Sequence, residues 1–250
     1  YWRPFGAGTL KKRKITMANT STAGYGLRAV MNVGSTPATS GQSEYQILGE
    51  GATTGSAVTS KTFFKGDLCS INDGTGSVAG QKGYLQDASY ATTDDAGVGG
   101  AAFDNTATGI AKLVGVFNGA YYVAGSTSKP TWSNSFDNGT TVAVDYNTGS
   151  RGVTAFVLDN PNQEYNIRAN DAWTQADVGG SGTTLAFNTG SNGATGISGM
   201  SDERLDVTSA AATTSAFTLL RNANVPDQND PTVAGCDVVV IMNKASALFN

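Results

Sequence analysis

The 250-residue chain contains no histidine. That absence removes the Ser-His-Asp and Cys-His arrangements of nucleophilic catalysis, the histidine-containing zinc sites and the commonest general base. Charge is scarce as well: Asp, Glu, Lys and Arg make up 14% of residues, against about a quarter in ordinary proteins. Cysteine occurs only at Cys69 and Cys236. Two thiols cannot complete a zinc site and their wide spacing demands no bridge, so two free buried thiols are expected. No run approaches the roughly 18 consecutive apolar residues of a membrane helix, and residues 1–17 lack the apolar centre of a secretory signal. The expectation is a soluble protein that leaves a cell, if it does, by lysis or a non-standard route.

Glycine (32 residues), with Ser, Thr, Asn and Ala, takes the place of the missing charge. Glycine is costly inside helices and strands but free in turns with positive φ. Net charge is −4 and aromatics are 9%, unlike the charged, aromatic-poor composition of disordered chains. The chain therefore reads as folded and all-β, with little helix: a barrel or sandwich of short antiparallel strands, followed by a smaller β-rich lobe.

Period-2 alternation supports this at several places. Glu44–Leu48 is a short strand, and Gly66–Ile71 alternates before the turn cluster Asn72-Asp73-Gly74-Thr75-Gly76. Residues 110–123 are the most apolar stretch, and Phe117-Asn118-Gly119 reads as a hairpin turn within it. Residues 141–146 alternate cleanly. Val153–Leu158 is apolar enough to be buried on both faces and ends at Asp159-Asn160-Pro161, because proline removes a ladder donor. Glu164–Arg168 alternates again. Beyond it lie one short helical turn around Trp173, the segment Leu185-Ala186-Phe187, and two last strands at Ser215–Arg221 and Cys236–Met242. The division expected is residues 1–20 as an arm, 21–169 as the barrel or sandwich module and 170–250 as the smaller lobe.

The arm is basic. Arg3, Lys11, Lys12, Arg13 and Lys14 lie there without an acid, leaving 11 basic and 20 acidic residues, a balance of −9, from Met17 onward. Such an arm suits a nucleic acid or an acidic neighbour. A second reading is favoured: Lys-Lys-Arg-Lys-Ile-Thr-Met is what a purine-rich ribosome-binding site encodes when read in frame, with Met17 as the true start. The acidic remainder argues against direct nucleic-acid binding, which rests on clustered Lys and Arg.

Candidate sites are few. Asp67, after a glycine at a strand start, reads as turn chemistry. Asn72–Gly76 has one acid where a calcium loop needs several and a distal Glu. Asp94-Asp95 and Asp202-Glu203 are adjacent, and neighbours on a strand point to opposite faces, so neither doublet forms the spaced acid pair of a glycosidase. Asp227 and Asp230, with Asn229, are weak candidates for a structural Ca²⁺. Trp132, Trp173, Tyr121 and Tyr122 are candidates for a protein interface or a sugar platform, because they combine large apolar area with a polar handle. The polar stretches 51–60 and 188–199 are further interface candidates. No catalytic residue and no cofactor are assigned, and the chain is read as no enzyme.

Several segments together carry a resemblance. Met17-Ala18-Asn19-Thr20-Ser21, Tyr25-Gly26-Leu27-Arg28-Ala29-Val30, Phe64-Lys65-Gly66-Asp67-Leu68, residues 83–88, Leu113–Gly119, Lys129-Pro130-Thr131-Trp132 and Asp159-Asn160-Pro161 resemble uncharacterised virion structural proteins of marine tailed bacteriophages. The Gly-Asp strand followed by a Val-Gly-Val-Phe strand also looks like the small β-barrel decoration proteins of phage heads. The resemblance implies a virion component made in the host bacterial cytoplasm. It would act through repeated contacts with capsid or other virion proteins and with its own copies, without a membrane. The alternative kept open is an extracellular carbohydrate-binding or adhesin-type β module.

Overall fold

Short runs of β-branched and aromatic residues, broken by glycine and Asn-Pro, leave few ways to satisfy the backbone except pairing between distant strands. The computed structural model describes residues 19, 23–34, 36–37, 41–48, 63–71, 83–87, 113–136, 142, 152–179, 184–186, 199–207, 216–223, 229–243 and 248. Over these residues the chain is all-β, and its strand pairs are antiparallel. One 3-10 turn, Gln175–Asp177, follows Trp173.

The first sheet contains β1 (Arg28–Asn32), β2 (Thr36–Pro37), β11 (Gln163–Arg168), β14 (Phe217–Asn222) and β15 (Asp237–Met242) in the order β14-β15-β11-β1-β2. The second contains β3 (Ser43–Leu48), β5 (Leu68–Ile71), β6 (Leu85–Asp87), β7 (Leu113–Val123), β8 (Pro130–Ser133) and β10 (Gly152–Leu158). Its order is β3-β10-β7-β5-β6, with β8 on the later half of β7. It curls into a half-barrel. Two small pairs complete the set: β4 (Phe63–Phe64) with β9 (Ser135–Phe136), and β12 (Thr184–Ala186) with β13 (Arg204–Asp206).

The Asp159–Asn162 corner passes the chain from β10 in the half-barrel to β11 in the other sheet. Beyond residue 170 the chain returns: β14 and β15 extend the sheet that holds β1 and β11. Described strands from both sides of residue 170 thus share that sheet, and described residues from both sides meet in one core.

That core lies between the sheets. It joins Leu68, Leu113, Val116 and Leu158 of the half-barrel to Tyr165, Ile167, Leu219, Val238 and Val240 opposite, with Trp173 and Cys236. A second core fills the half-barrel: Ile47, Cys69, Leu85, Val114, Phe117, Val153, Ala155 and Val157, closed by Phe63 and Phe136 of the β4–β9 pair. Phe117 stacks on Phe63 with ring centroids 5.3 Å apart. Val153–Leu158 is not buried on both faces as expected: Val153, Ala155 and Val157 line the half-barrel core and Leu158 joins the inter-sheet core, but Thr154 and Phe156 on the other face are only half-buried. Cys69 and Cys236 are buried thiols outside any disulfide, one in each core.

A further expectation is overturned. Phe117-Asn118-Gly119 is no hairpin turn: β7 runs unbroken from Leu113 to Val123. The Asn-Gly signal marks a bulge instead, where Val157 faces Phe117 and Phe156 faces Gly119. A bulge and a turn make the same demand for glycine, and only the partner strand β10 distinguishes them. The cleanly alternating segment at 141–146 is described only at Val142, a buried residue bridged to Ala124.

Two tyrosines, Tyr165 buried and Tyr45 half-buried, tie the corner between the sheets. Tyr165 donates its hydroxyl to the Leu158 carbonyl at 3.0 Å, and Tyr45 donates to Asp159 Oδ2 at 2.9 Å. Burial holds both phenols well above the ordinary tyrosine value, with the Asp159 carboxylate adding to the shift. A raised folded pKa contributes stability that is complete below the unfolded pKa and is lost as pH rises toward the folded one. Thermal melts are therefore expected to be unaffected by these groups below about pH 10 and to fall steadily above it. The 295 nm phenolate signal of Tyr45 and Tyr165 should appear only with unfolding. Free titration of all tyrosines in the folded protein would contradict this.

Candidate functional site

The later half of β7 leaves the inter-sheet core and presents its outer face to solvent. There β7 is flanked by β8 and β10, and the register sets Tyr121 opposite both Trp132 and Thr154. Directly opposed residues of an antiparallel pair share a face, so Trp132 and Tyr121 stand side by side. Trp132 is 50% exposed and Tyr121 42%. The indole reaches across β7 to Phe156 on β10, with ring centroids 4.9 Å apart.

Gly119 makes that crossing possible. It lies on β7 between the two rings, and a Cβ there would come within 2.6 Å of Trp132 Cζ2 while its φ is +154°. The missing side chain is a slot for the indole. Gln46 of β3 donates to Thr154 Oγ1 at 3.4 Å, and Glu44 of β3 lies opposite Phe156. The result is a three-ring patch with a polar rim, held on hydrogen-bonded strands.

The other two aromatic candidates lie elsewhere. Tyr122 points to the opposite face of β7 and packs edge-on to Phe136 at 5.5 Å, against the inner core. Trp173 is 6% exposed and belongs to the inter-sheet core, where burial raises the pKa of the neighbouring Cys236 thiol. Cys236 also lies 2.9 Å from Asn222 Oδ1. Four aromatic residues therefore reduce to two at the surface, and Phe156 is the partner that sequence reasoning missed. Its signal was the register of Gly119 against β10, which becomes readable only once the pairing is known.

The acidic candidates have structural duties. Asp67 closes a tight turn, accepting the Phe64 N–H at 2.6 Å on Oδ2 while its own N–H donates to the Phe64 carbonyl at 3.0 Å. Glu203 is buried and accepts the Leu68 N–H at 3.3 Å. Asp230 accepts both the N–H and the hydroxyl of Thr232 on Oδ1, at 3.0 and 2.6 Å. Asn19 clamps the same loop, donating to the carbonyls of Asp230, Val233 and Ala234. No group of three or more acids, cysteines or histidines is arranged for a metal among the described residues. The arm at 1–16, Asn72–Gly76, Asp94-Asp95, Asp227 and the stretches 51–60 and 188–198 lie outside the described residues. Among those described, no helix is long and apolar enough to cross a membrane.

A concave feature elsewhere was not anticipated. On the outer face of the other sheet, Ala23, Gly24, Tyr25, Arg28, Asn166, Arg168 and Asp237 line an open cleft of about 430 Å³. Arg168 pairs with Asp237 at 2.8 Å and also donates to the Ala23 carbonyl at 2.8 Å. The Tyr25 ring has the Arg28 guanidinium 4.2 Å and the Arg168 guanidinium 5.0 Å from its centroid. Burial and the Asp237 carboxylate hold the Tyr25 phenol far above its ordinary value.

The chain matches no protein-family model, no curated protein and no solved structure. Its functional reading therefore rests on its own residues. Of the surfaces described, the three-ring patch has the chemistry of a contact surface: large aromatic groups, prepositioned on a sheet and left open.

Proposed function

We propose that this chain is a non-enzymatic structural component of a phage virion, a capsid decoration or minor head protein. In this reading it works by docking the outer face of its half-barrel on neighbouring virion proteins. The observation that carries the proposal is the exposed Trp132–Tyr121 pair braced by Phe156. Trp and Tyr are the residues most enriched among those that dominate binding energy, and contiguous exposed aromatic surface marks interaction sites. The residue segments that resemble tailed-phage virion proteins supply the kind of partner.

The physics of such a role is association free energy, repeated. A standard interface buries about 1,600 Å² in total, and a shell multiplies each contact by its copy number. A charge-poor surface of Thr, Ser, Asn and Gly suits this, since short side chains lose little entropy on contact and few charges need desolvating.

Trp132→Ala tests the reading. Half of the indole already faces water, so the fold should survive with an unchanged far-ultraviolet spectrum. Binding to virion shells, or self-association measured by sedimentation, should weaken by roughly 30-fold or more, the usual effect of truncating a hot-spot aromatic. Unchanged association would remove the patch as the contact. Loss of glycan binding on an array, with shell binding intact, would establish the carbohydrate-binding module in its place.

A further inference from the structure

We infer that the segment docked on the Trp132–Tyr121 face is a proline-rich stretch of a different protein, held as a polyproline II helix. The inference rests on the docking reading above and names what docks.

Its first support is the spacing of the rings. Gly119 and Tyr121 lie two residues apart on β7 and so share its outer face. Trp132 fills the place of a Gly119 side chain: a Cβ there would lie 2.6 Å from Cζ2 and 3.1 Å from Cε2 of the indole. Two residues of strand span about 7 Å, and the six-membered indole ring and the Tyr121 phenol are set that far apart along β7. A slot of this width takes one flat ring about 3.5 Å from each wall, which is the fit of a pyrrolidine. Aromatic-lined grooves are the general receptors of polyproline II segments.

The second support is hydrogen-bond polarity. The indole N–H of Trp132 and the hydroxyl of Tyr121 bond to no other described residue, and both side chains are half-exposed. An indole nitrogen only donates. A polyproline II chain is its complement: the carbonyls face outward, unused by any internal bond, and each proline lacks an N–H. A chain of other residues brings an N–H at every step, which an indole cannot answer.

Charge and sequence narrow the partner. On the described strands the register sets a single charged side chain, Glu44, on this face. Recognition is therefore by shape and apolar area rather than by ion pairing. Among its six prolines the chain has no Pro-Pro and no Pro-x-x-Pro, so the docked segment does not come from a second copy. Polyproline II is preformed before it binds and loses little entropy on docking.

The test titrates acetylated, amidated decaproline calorimetrically into the full chain, with a glycine–serine peptide of equal length and cellohexaose as comparisons. Saturable binding of decaproline is expected, with little dependence on added salt. It should weaken by roughly ten-fold or more in Trp132→Ala and in Tyr121→Ala, the usual effect of truncating a hot-spot aromatic. Both rings face water, so both variants should melt like the wild type. Absence of decaproline binding, equal binding of the glycine–serine peptide, or undiminished binding by either variant overturns the inference. Trp132-dependent binding of cellohexaose without binding of decaproline overturns it in favour of a sugar. Virion-shell association keeps the two readings apart: if Trp132→Ala weakens it while decaproline does not bind, the docking face stands and its proline-rich occupant falls.

Discussion

Gly24→Ala should lower the melting temperature by roughly 6–12 °C, because three segments remote in sequence cross at a point with no room for a methyl group. A Cβ on Gly24 falls on the Asp202 carbonyl oxygen and lies 2.7 Å from the Glu203 oxygen. Two residues later, Gly26 has φ +70°, and a Cβ there would collide with the Ser201 side chain and come within 2.9 Å of the Gly66 oxygen. The crossing is laced by backbone bonds: Gly26 N–H to Glu203 O at 3.2 Å, Leu27 N–H to Gly66 O at 2.9 Å and Ser201 N–H to Lys65 O at 3.0 Å. The obstacles are backbone atoms, which cannot turn aside as a side-chain tip can. Overpacking of this kind costs about 3 kcal/mol, and each kcal/mol lowers the midpoint by about 2–4 °C in a domain of this size. Gly152→Ala is the control, since nothing lies within 4 Å of a Cβ there; it should change stability by less than about 0.5 kcal/mol. Similar melts for Gly24→Ala and Gly152→Ala would show that the crossing is not tight.

The second large effect concerns the paired charges on β11 and β15. Arg168 and Asp237 are cross-strand partners with side chains 12% and 5% exposed. Their mutual attraction must offset the desolvation of both. Asp237→Ala leaves the largely buried Arg168 guanidinium with only the Ala23 carbonyl and the Tyr25 ring, and such an uncompensated charge costs about 3–5 kcal/mol. The double variant Arg168→Met/Asp237→Leu should recover most of that loss, since apolar replacement of a buried pair is often neutral. Arg221 and Glu164 also meet at 2.8 Å, but the Arg221 side chain is 43% exposed. Water screens that pair, and Arg221→Ala should cost less than about 1 kcal/mol. Chemical denaturation of the three variants checks the ordering. Equal losses for Asp237→Ala and Arg221→Ala would mean burial does not separate the two pairs.

Strands whose alternation is set by one buried face were readable from local pattern: β3, β5, β10, β11, β14 and β15 all fall at or within two residues of the segments expected. Local pattern carries no information about partners. Arg28–Asn32 has little alternation and becomes β1 only because β11, more than 130 residues away, supplies its hydrogen bonds. The return of β14 and β15 to that same sheet is likewise a matter of pairing across the chain. Asn118-Gly119 has turn chemistry, yet β10 pairs with Phe117 and Gly119 on either side of Asn118 and carries the strand on through a bulge.

The same limit applies to the sites. Trp132 and Trp173 are the same residue type in similarly polar surroundings, but one falls on the outer face of a sheet and the other under the 3-10 turn in the core. Tyr121 and Tyr122 are separated by a single step of the pleat. The cleft was invisible because Arg28, Asn166 and Asp237 come from three strands that are neighbours only in the sheet.

The proposed function requires the open face of the half-barrel to lie against other protein. Oxidative labelling of Trp132 in the free chain and in assembled particles measures that directly. Strong labelling in the free chain and several-fold protection in particles are expected, with Trp173 unreactive in both. Equal labelling of Trp132 in the two states would contradict it.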